Sequence, residues 1–387
     1  MIVITNASIH TMTDLILENG MVIIKDSKIE DLGYNLPIPE NSLVIDAKGG
    51  FLMPGLIDAH CHVGMWENGI GFEGADGNEA TDPATPHLRA IDGINPLDKC
   101  FEEALHSGIT TVSTGPGSAN VIGGQFTIMK TYGKTIDDMV VKECSSMKIA
   151  FGENPKRVYG NQKKSPSTRM GTASILRENF KKAEIYVEKQ KKAIEGIEKA
   201  PEFDMKMEAL AKVIKGELPL KAHAHRADDI LSAIRIAKEF DLDLSLEHCT
   251  EGHLIVDYLK NENLKGIIVG PTLSDRSKVE LQNLTFKTPT LLNHAGIKIS
   301  IMTDHPVIPL QYLPICAALA AREGMDDEEA LRSITINPAK TLDISHRVGS
   351  IEKNKDADIV IYNGHPFDLR NKVEFVMING EIIRNEL

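Results

Sequence analysis

Between residues 56 and 302, short β-branched runs recur eight times, and longer helix-period segments stand between many of them. The strand-like runs fall at 56–59, 110–113, 125–129, 147–151, 220–224, 244–247, 266–269 and 298–302. The helical patterns fall at 97–106, 172–199, 227–240, 254–261 and 310–323. Alternation of this kind predicts parallel strands, because a parallel pair needs a crossover that a helix supplies. Eight such units predict a closed (β/α)8 TIM barrel over an open sheet. Both ends of the chain read differently. Runs at 21–24, 42–45, 358–362 and 373–378 are strand-like, and Asn379-Gly380 is a strong hairpin signal.

A barrel gathers the C-terminal ends of its strands at one mouth, so polar residues at those ends meet in space whatever their separation in sequence. His60 and His62 end the first strand, and an i, i+2 spacing sends both the same way. His223 ends the fifth strand, His248 the sixth and Asp304 the eighth. Imidazole and carboxylate are the ligand types of a metal centre. Packed histidines would explain the His60–His62 pair alone. Five candidate ligands at strand ends favour a site.

Two long, irregular stretches, 64–96 and 153–171, follow strands and should form loops on the same face, as lids or pocket walls. The second carries Arg157, Tyr159 and Arg169, of which Arg157 and Tyr159 are expected to touch substrate. A guanidinium there can grip a substrate carboxylate. His225 shares the parity of His223 and is expected to touch substrate. His305 can orient Asp304. The run from Gly115 to Gln125 is rich in glycine but lacks the Gly-Lys-Ser/Thr ending of a phosphate loop.

Composition narrows the partners. Basic residues number 43 against 55 acidic, a net charge of −12. That balance argues against nucleic acid or an anionic membrane, both of which attract basic surfaces. No apolar run reaches the ~18 residues of a membrane span, and the first residues lack the basic start and apolar run of a signal peptide. The five cysteines are scattered, with no CxxC pair. A reduced, cytoplasmic protein is expected.

The run Phe51-Leu52-Met53-Pro54-Gly55-Leu56-Ile57-Asp58-Ala59-His60-Cys61-His62 resembles the signature of the amidohydrolase superfamily. Thr335-Ile336-Asn337-Pro338-Ala339-Lys340, Gly349-Ser350-Ile351-Glu352 and Lys355-Asp356-Ala357-Asp358-Ile359-Val360 resemble its C-terminal segments, so the likeness spans nearly the whole chain. Imidazolonepropionase-like and prolidase-like members are the nearest in pattern. The resemblance implies a barrel over 51–344 and a small β-sandwich built from 1–50 and 345–387. It implies that His60, His62, His223, His248 and Asp304 are metal ligands, and that Asp304 is the general base for a metal-bound hydroxide. The fourth-strand ligand is either Lys148, as a carboxylated bridge between two metals, or Glu153 at the strand end. The turn allowed by Gly152 inclines the reading to Glu153.

The implied reaction is hydrolysis of an amide-type C–N bond in a cyclic amide, a dipeptide or an N-acyl compound. One or two divalent metals are implied. Zinc suits the ligands best, and iron or manganese is compatible with them. A heterocycle deaminase is the alternative, although no carboxylate follows His223 before Asp228. A catalytically silent scaffold is the remaining one, and the complete ligand set opposes it. The partner is a small molecule, and a homo-oligomer is the default assembly.

Overall fold

The computed structural model describes residues 1–387. Five strands come first: β1 (Ile2–His10), β2 (Ile16–Lys25), β3 (Lys28–Gly33), β4 (Leu43–Asp46) and β5 (Phe51–Pro54). Eight occupy the middle: β6 (Leu56–Cys61), β7 (Ile109–Thr114), β8 (Ile122–Lys130), β9 (Val140–Ala150), β10 (Leu220–Ala224), β11 (Leu244–His248), β12 (Gly266–Val269) and β13 (Ile299–Ile301). Three close the chain: β14 (Ile359–Tyr362), β15 (Val373–Ile378) and β16 (Glu381–Asn385).

The two ends form one sheet, in the order β16-β15-β14-β5-β1-β2-β3, with β4 paired to β1. Strand β5 belongs here, paired to β1 and antiparallel to β14. Residues 51–54 therefore join the terminal sheet, where the sequence suggested that the barrel begins at 51. The expected β15–β16 hairpin forms on Asn379 (φ 51°) and Gly380 (φ 77°), the two left-handed residues that a tight hairpin turn of the strands' own twist requires. A Cβ on Gly380 would also lie 2.0 Å from the Asp26 carbonyl oxygen in the β2–β3 turn. Gly380→Ala is expected to cost more than about 1 kcal/mol, through both strain and collision. A thermal midpoint equal to that of the unsubstituted chain would show that the two turns do not pack this way.

The eight middle strands make the second sheet, ordered β6 through β13 without interruption. Five of its ladders are parallel, but β8 runs antiparallel to both β7 and β9. This departs from the all-parallel barrel expected from the pattern. The reason lies in the connections. Only residues 115–121 join β7 to β8, and a parallel crossover needs a dozen residues or more. The chain can only double back. At the open seam, β6 and β13 are not laddered to each other. The segment Ser333–Ile334 stands between them, with Ile301 N–H donating to the Ser333 carbonyl (2.9 Å) and Ile57 N–H to the Ile334 carbonyl (2.8 Å). The sheet is a nearly closed barrel. Its parallel strands β10 and β11 are buried along their whole length. Burial on both faces makes every charge within them conspicuous.

Candidate metal centre

The ends of β6, β10, β11 and β13 bring the predicted histidines and Asp304 together. Asp304 Oδ1 lies 3.2 Å from His62 Nε2 and 3.5 Å from His60 Nε2. Ligand-capable atoms of His60, His248 and Asp304 fall within 4.8 Å of one another, as do those of His223, His225 and His248. The imidazoles are held from behind. His62 Nδ1 is 2.6 Å from the Gly115 carbonyl oxygen, and His248 Nδ1 is 2.9 Å from that of Gly270. A carbonyl only accepts, so these rings carry their proton on Nδ1 and keep a lone pair on Nε2. His248 Nε2 and His223 Nε2 are buried and have no hydrogen-bond partner. His248, Cys249 and Asp304 have φ of 70°, 49° and 54°. Left-handed backbone in non-glycine residues carries strain and clusters at functional sites.

Charges absent from the predicted set surround this group. Asp58 is fully buried. Its Oδ1 accepts the His60 N–H (3.0 Å) and its Oδ2 accepts the N–H (3.0 Å) and hydroxyl (2.6 Å) of Thr303, which ties the end of β6 to the segment bearing Asp304. Burial pushes the Asp58 carboxyl up to about 7. Glu247 is also fully buried. Its Oε2 lies 2.9 Å from His60 Nδ1 and 3.1 Å from Lys221 Nζ, and Ser245 donates to its Oε1 at 2.7 Å. Burial pushes His60, His223, His225 and His248 well below the ordinary imidazole value, and the charge of Lys148 adds to this at each. The same desolvation takes the Lys148 ammonium down to about 7, against the opposing pull of Asp304 and Glu247. His305 falls to about 4, again through burial; its Nδ1 accepts the Leu310 N–H at 3.1 Å.

The two fourth-strand candidates part company. Lys148 is fully buried, with Nζ 3.1 Å from His60 Nε2. Glu153 does not reach the cluster. Gly152 (φ 81°) turns the chain after β9, and Glu153 opens the helix Glu153–Asn161. Only its backbone N–H faces the region, donating to Glu280 Oε2 at 2.9 Å. The inclination to Glu153 is corrected: strand parity points Lys148 inward, and the glycine turn carries Glu153 off the strand.

The two loop residues expected at the substrate are elsewhere as well. Arg157 is exposed on that helix. Tyr159 is fully buried, its hydroxyl 2.6 Å from Asn120 Oδ1 and 2.8 Å from the Asp82 carbonyl oxygen, so it pins the 64–96 loop. Arg169 is committed to Asp229 through two hydrogen bonds of 2.9 and 3.0 Å. His225 does line the mouth, in a cavity of about 320 Å³ shared with His62, His223, Asp304, Trp66 and Lys278. A larger cavity, about 850 Å³, lies against the outer helix Arg169–Ile194 and contains none of these residues.

Sequence reasoning passed over Lys221, Glu247 and Glu280. For the first two a signal existed, since each is a charge inside an expected core strand. Glu280 comes from the irregular segment after β12, which carries no periodic pattern.

The family model for the amidohydrolase family matches residues 51–383. The chain is 30% identical to amidohydrolase tasK of Hapsidospora irregularis over 95% of its own length, but it spans only 39% of that protein. It is 26% identical to imidazolonepropionase of Idiomarina loihiensis, covering 93% of this chain and 90% of that one. Among solved structures, an amidohydrolase from Thermotoga maritima MSB8 superposes with a TM-score of 0.96 at 44% identity, over 100% of both chains.

Proposed function

Because the chain belongs to the amidohydrolase family and is a hydrolase acting on carbon–nitrogen bonds, we propose that it cleaves an amide-type C–N bond of a small molecule with the help of one or two divalent metal ions. The bond would be that of a cyclic amide, a dipeptide or an N-acyl compound. One observation carries this reading: imidazoles from β6 and β11, with their back nitrogens occupied or buried, converge on the Asp304 carboxylate, and those of His223 and His225 lie against His248. The donor set fits a metal on its own chemistry. The buried Nε2 atoms of His223 and His248 lack partners, and such atoms are rare unless a ligand meets them. Glu247 behind His60 and the carbonyls behind His62 and His248 are the outer contacts that set the tautomer of a ligating histidine.

His60, His62, His223, His248 and Asp304 would hold the ion or ions, with Lys148 beside them in place of Glu153. Carboxylated on Nζ, Lys148 would add a negative charge to an otherwise imidazole-rich centre. A bound metal supplies Lewis acidity and lowers the pKa of water to about 7. Asp304 then takes the proton of the attacking water on a carboxylate oxygen and returns it to the leaving nitrogen. Zinc suits these ligands, as do iron and manganese. We read 1–54 and 345–387 as the accessory unit and the remainder as the catalytic one, working on a small-molecule substrate in the cytoplasm as a homo-oligomer. No helix is long and apolar enough to cross a membrane.

The test is elemental analysis of protein purified without chelator and with bicarbonate present. A hydrolysis screen of cyclic amides, dipeptides and N-acyl amino acids would follow. Bound metal with chelator-sensitive amide cleavage is expected. A metal-free protein that stays inactive after addition of zinc or manganese would overturn the reading, and release of ammonia alone would turn it to deamination.

A further inference from the structure

We infer that a second cavity, beyond Trp66 from the histidine cluster, binds an aminoacyl group: a primary ammonium with a carbonyl one carbon away, as in an amino-acid amide or at the amino end of a peptide. The cavity measures about 400 Å³, and its walls include Trp66, Glu67, Glu103, His305, Pro306 and Gln311. It shares only Trp66 and Pro306 with the cavity that holds His223, His225 and Asp304. The indole between the two is fixed. It meets the His62 ring edge to face, with centroids 5.0 Å apart, and a Cβ on Gly77 or Gly117 would run into it. The second cavity is therefore a place of its own, and nothing in the hydrolytic reading uses it.

No lysine or arginine lines this cavity, yet two carboxylates do. One oxygen of each is held by a neutral amide. Asn95 Nδ2 donates to Glu67 Oε2 at 2.6 Å, and Gln311 Nε2 to Glu103 Oε2 at 3.2 Å. These bonds orient the carboxylates without neutralising them. A third carboxylate lies behind the wall. Asp98 Oδ1 accepts the N–H groups of Asn68 and Cys100, two wall residues, at 3.3 and 3.2 Å, and its Oδ2 is buried without a partner. Carboxylates drawn together away from water favour a cationic ligand. His305 narrows its class. This residue is 4% exposed, and its Nδ1 accepts the Leu310 N–H at 3.1 Å, so the proton sits on Nε2. That Nε2 has no partner, and with Nδ1 turned to the backbone its edge faces the cavity. A buried donor without an acceptor is rare in a native interior. Beside carboxylates it opposes a bare alkali or metal ion and suits a ligand with an acceptor next to its positive charge. In an aminoacyl group the ammonium meets Glu67 and Glu103 while the carbonyl oxygen accepts from His305. Pro306 and Pro309 offer the side chain an apolar wall.

Trp66 is the only tryptophan of the chain, so its fluorescence reports occupancy. The full chain as purified is titrated with glycinamide, with methylammonium (no carbonyl), with acetamide (no ammonium) and with potassium ion. A saturable change is expected with glycinamide, at lower concentration than with any of the other three. Glu103→Gln, at a half-buried helix position that tolerates the amide, should weaken glycinamide about 10–100-fold, the worth of a hydrogen bond to a charged group. His305→Phe should erase the preference for glycinamide over methylammonium. His60→Asn should leave glycinamide binding unchanged, which separates this cavity from the metal side of Trp66. Triglycine binding tighter than glycinamide assigns the cavity to a peptide's amino end, and weaker binding assigns it to a small amide. Equal affinity in Glu103→Gln, an equal response to acetamide or to potassium, or a response lost in His60→Asn alone would each overturn the proposal. The hydrolytic reading is tested apart from it. Metal-dependent hydrolysis without glycinamide binding sinks only this site, and glycinamide binding by a metal-free, inactive protein sinks only that reading.

Discussion

Asp304→Asn is expected to lower kcat by about 10²–10⁴-fold, the usual worth of a placed acid–base group, while the protein stays folded. The substitution suits the backbone. Asp304 has φ 54°, a left-handed conformation that asparagine adopts more readily than most residues. The amide would retain the approach to His60 Nε2 and His62 Nε2, at 3.5 and 3.2 Å in the parent. What it loses is the ability to take up a proton. Metal content measured beside kcat separates the two roles. Low turnover with near-full metal content supports proton transfer at this carboxylate, whereas parallel loss of both assigns it to binding alone. Turnover above about a tenth of the parent value would remove Asp304 as general base.

Glu247→Ala should be the most damaging single change to stability. It strands Lys221, which is 1% exposed and retains only the Ala59 carbonyl at 2.9 Å, and it removes the carboxylate behind His60 Nδ1. Breaking one side of a buried ion pair costs about 3–5 kcal/mol, because the surviving charge is left without compensation. Urea denaturation of the metal-free protein reads this directly. The double variant Glu247→Leu with Lys221→Met should recover much of the loss, since neither charge then remains. A Glu247→Ala cost below about 1 kcal/mol would place the pair in the solvated class, and a double variant no better than the single one would trace the damage to packing.

Local rules made several features readable in advance. Strand parity alone put His60 and His62 on one side, and the Asn379-Gly380 turn followed from the left-handed angles that those residues tolerate. His223, His248 and Asp304 were legible as well, because a strand end is a local feature and the barrel collects such ends. Parity also limited the fourth strand to one inward residue, but it could not say where the strand stops. Whether Lys148 or Glu153 faced the centre depended on Gly152 turning the chain into a helix after Ala150.

Other features have no local cause. The reversal of β8 was hidden because β-branched runs look the same in either direction; only the short link before it betrays the turn. Tyr159 was read as a substrate contact from its loop position, yet Asn120 and the Asp82 carbonyl, more than thirty residues away, bury its hydroxyl. Glu280 has no pattern around it at all, and it matters only because the segment after β12 folds over His223 and His225. Periodicity and turn chemistry act over a few residues, so the sequence by itself determined the strands, their inward faces and the histidines at their ends. Burial and charge pairing depend on which distant segments meet, so only the tertiary structure decided which lysine, which glutamates and which loop complete the centre.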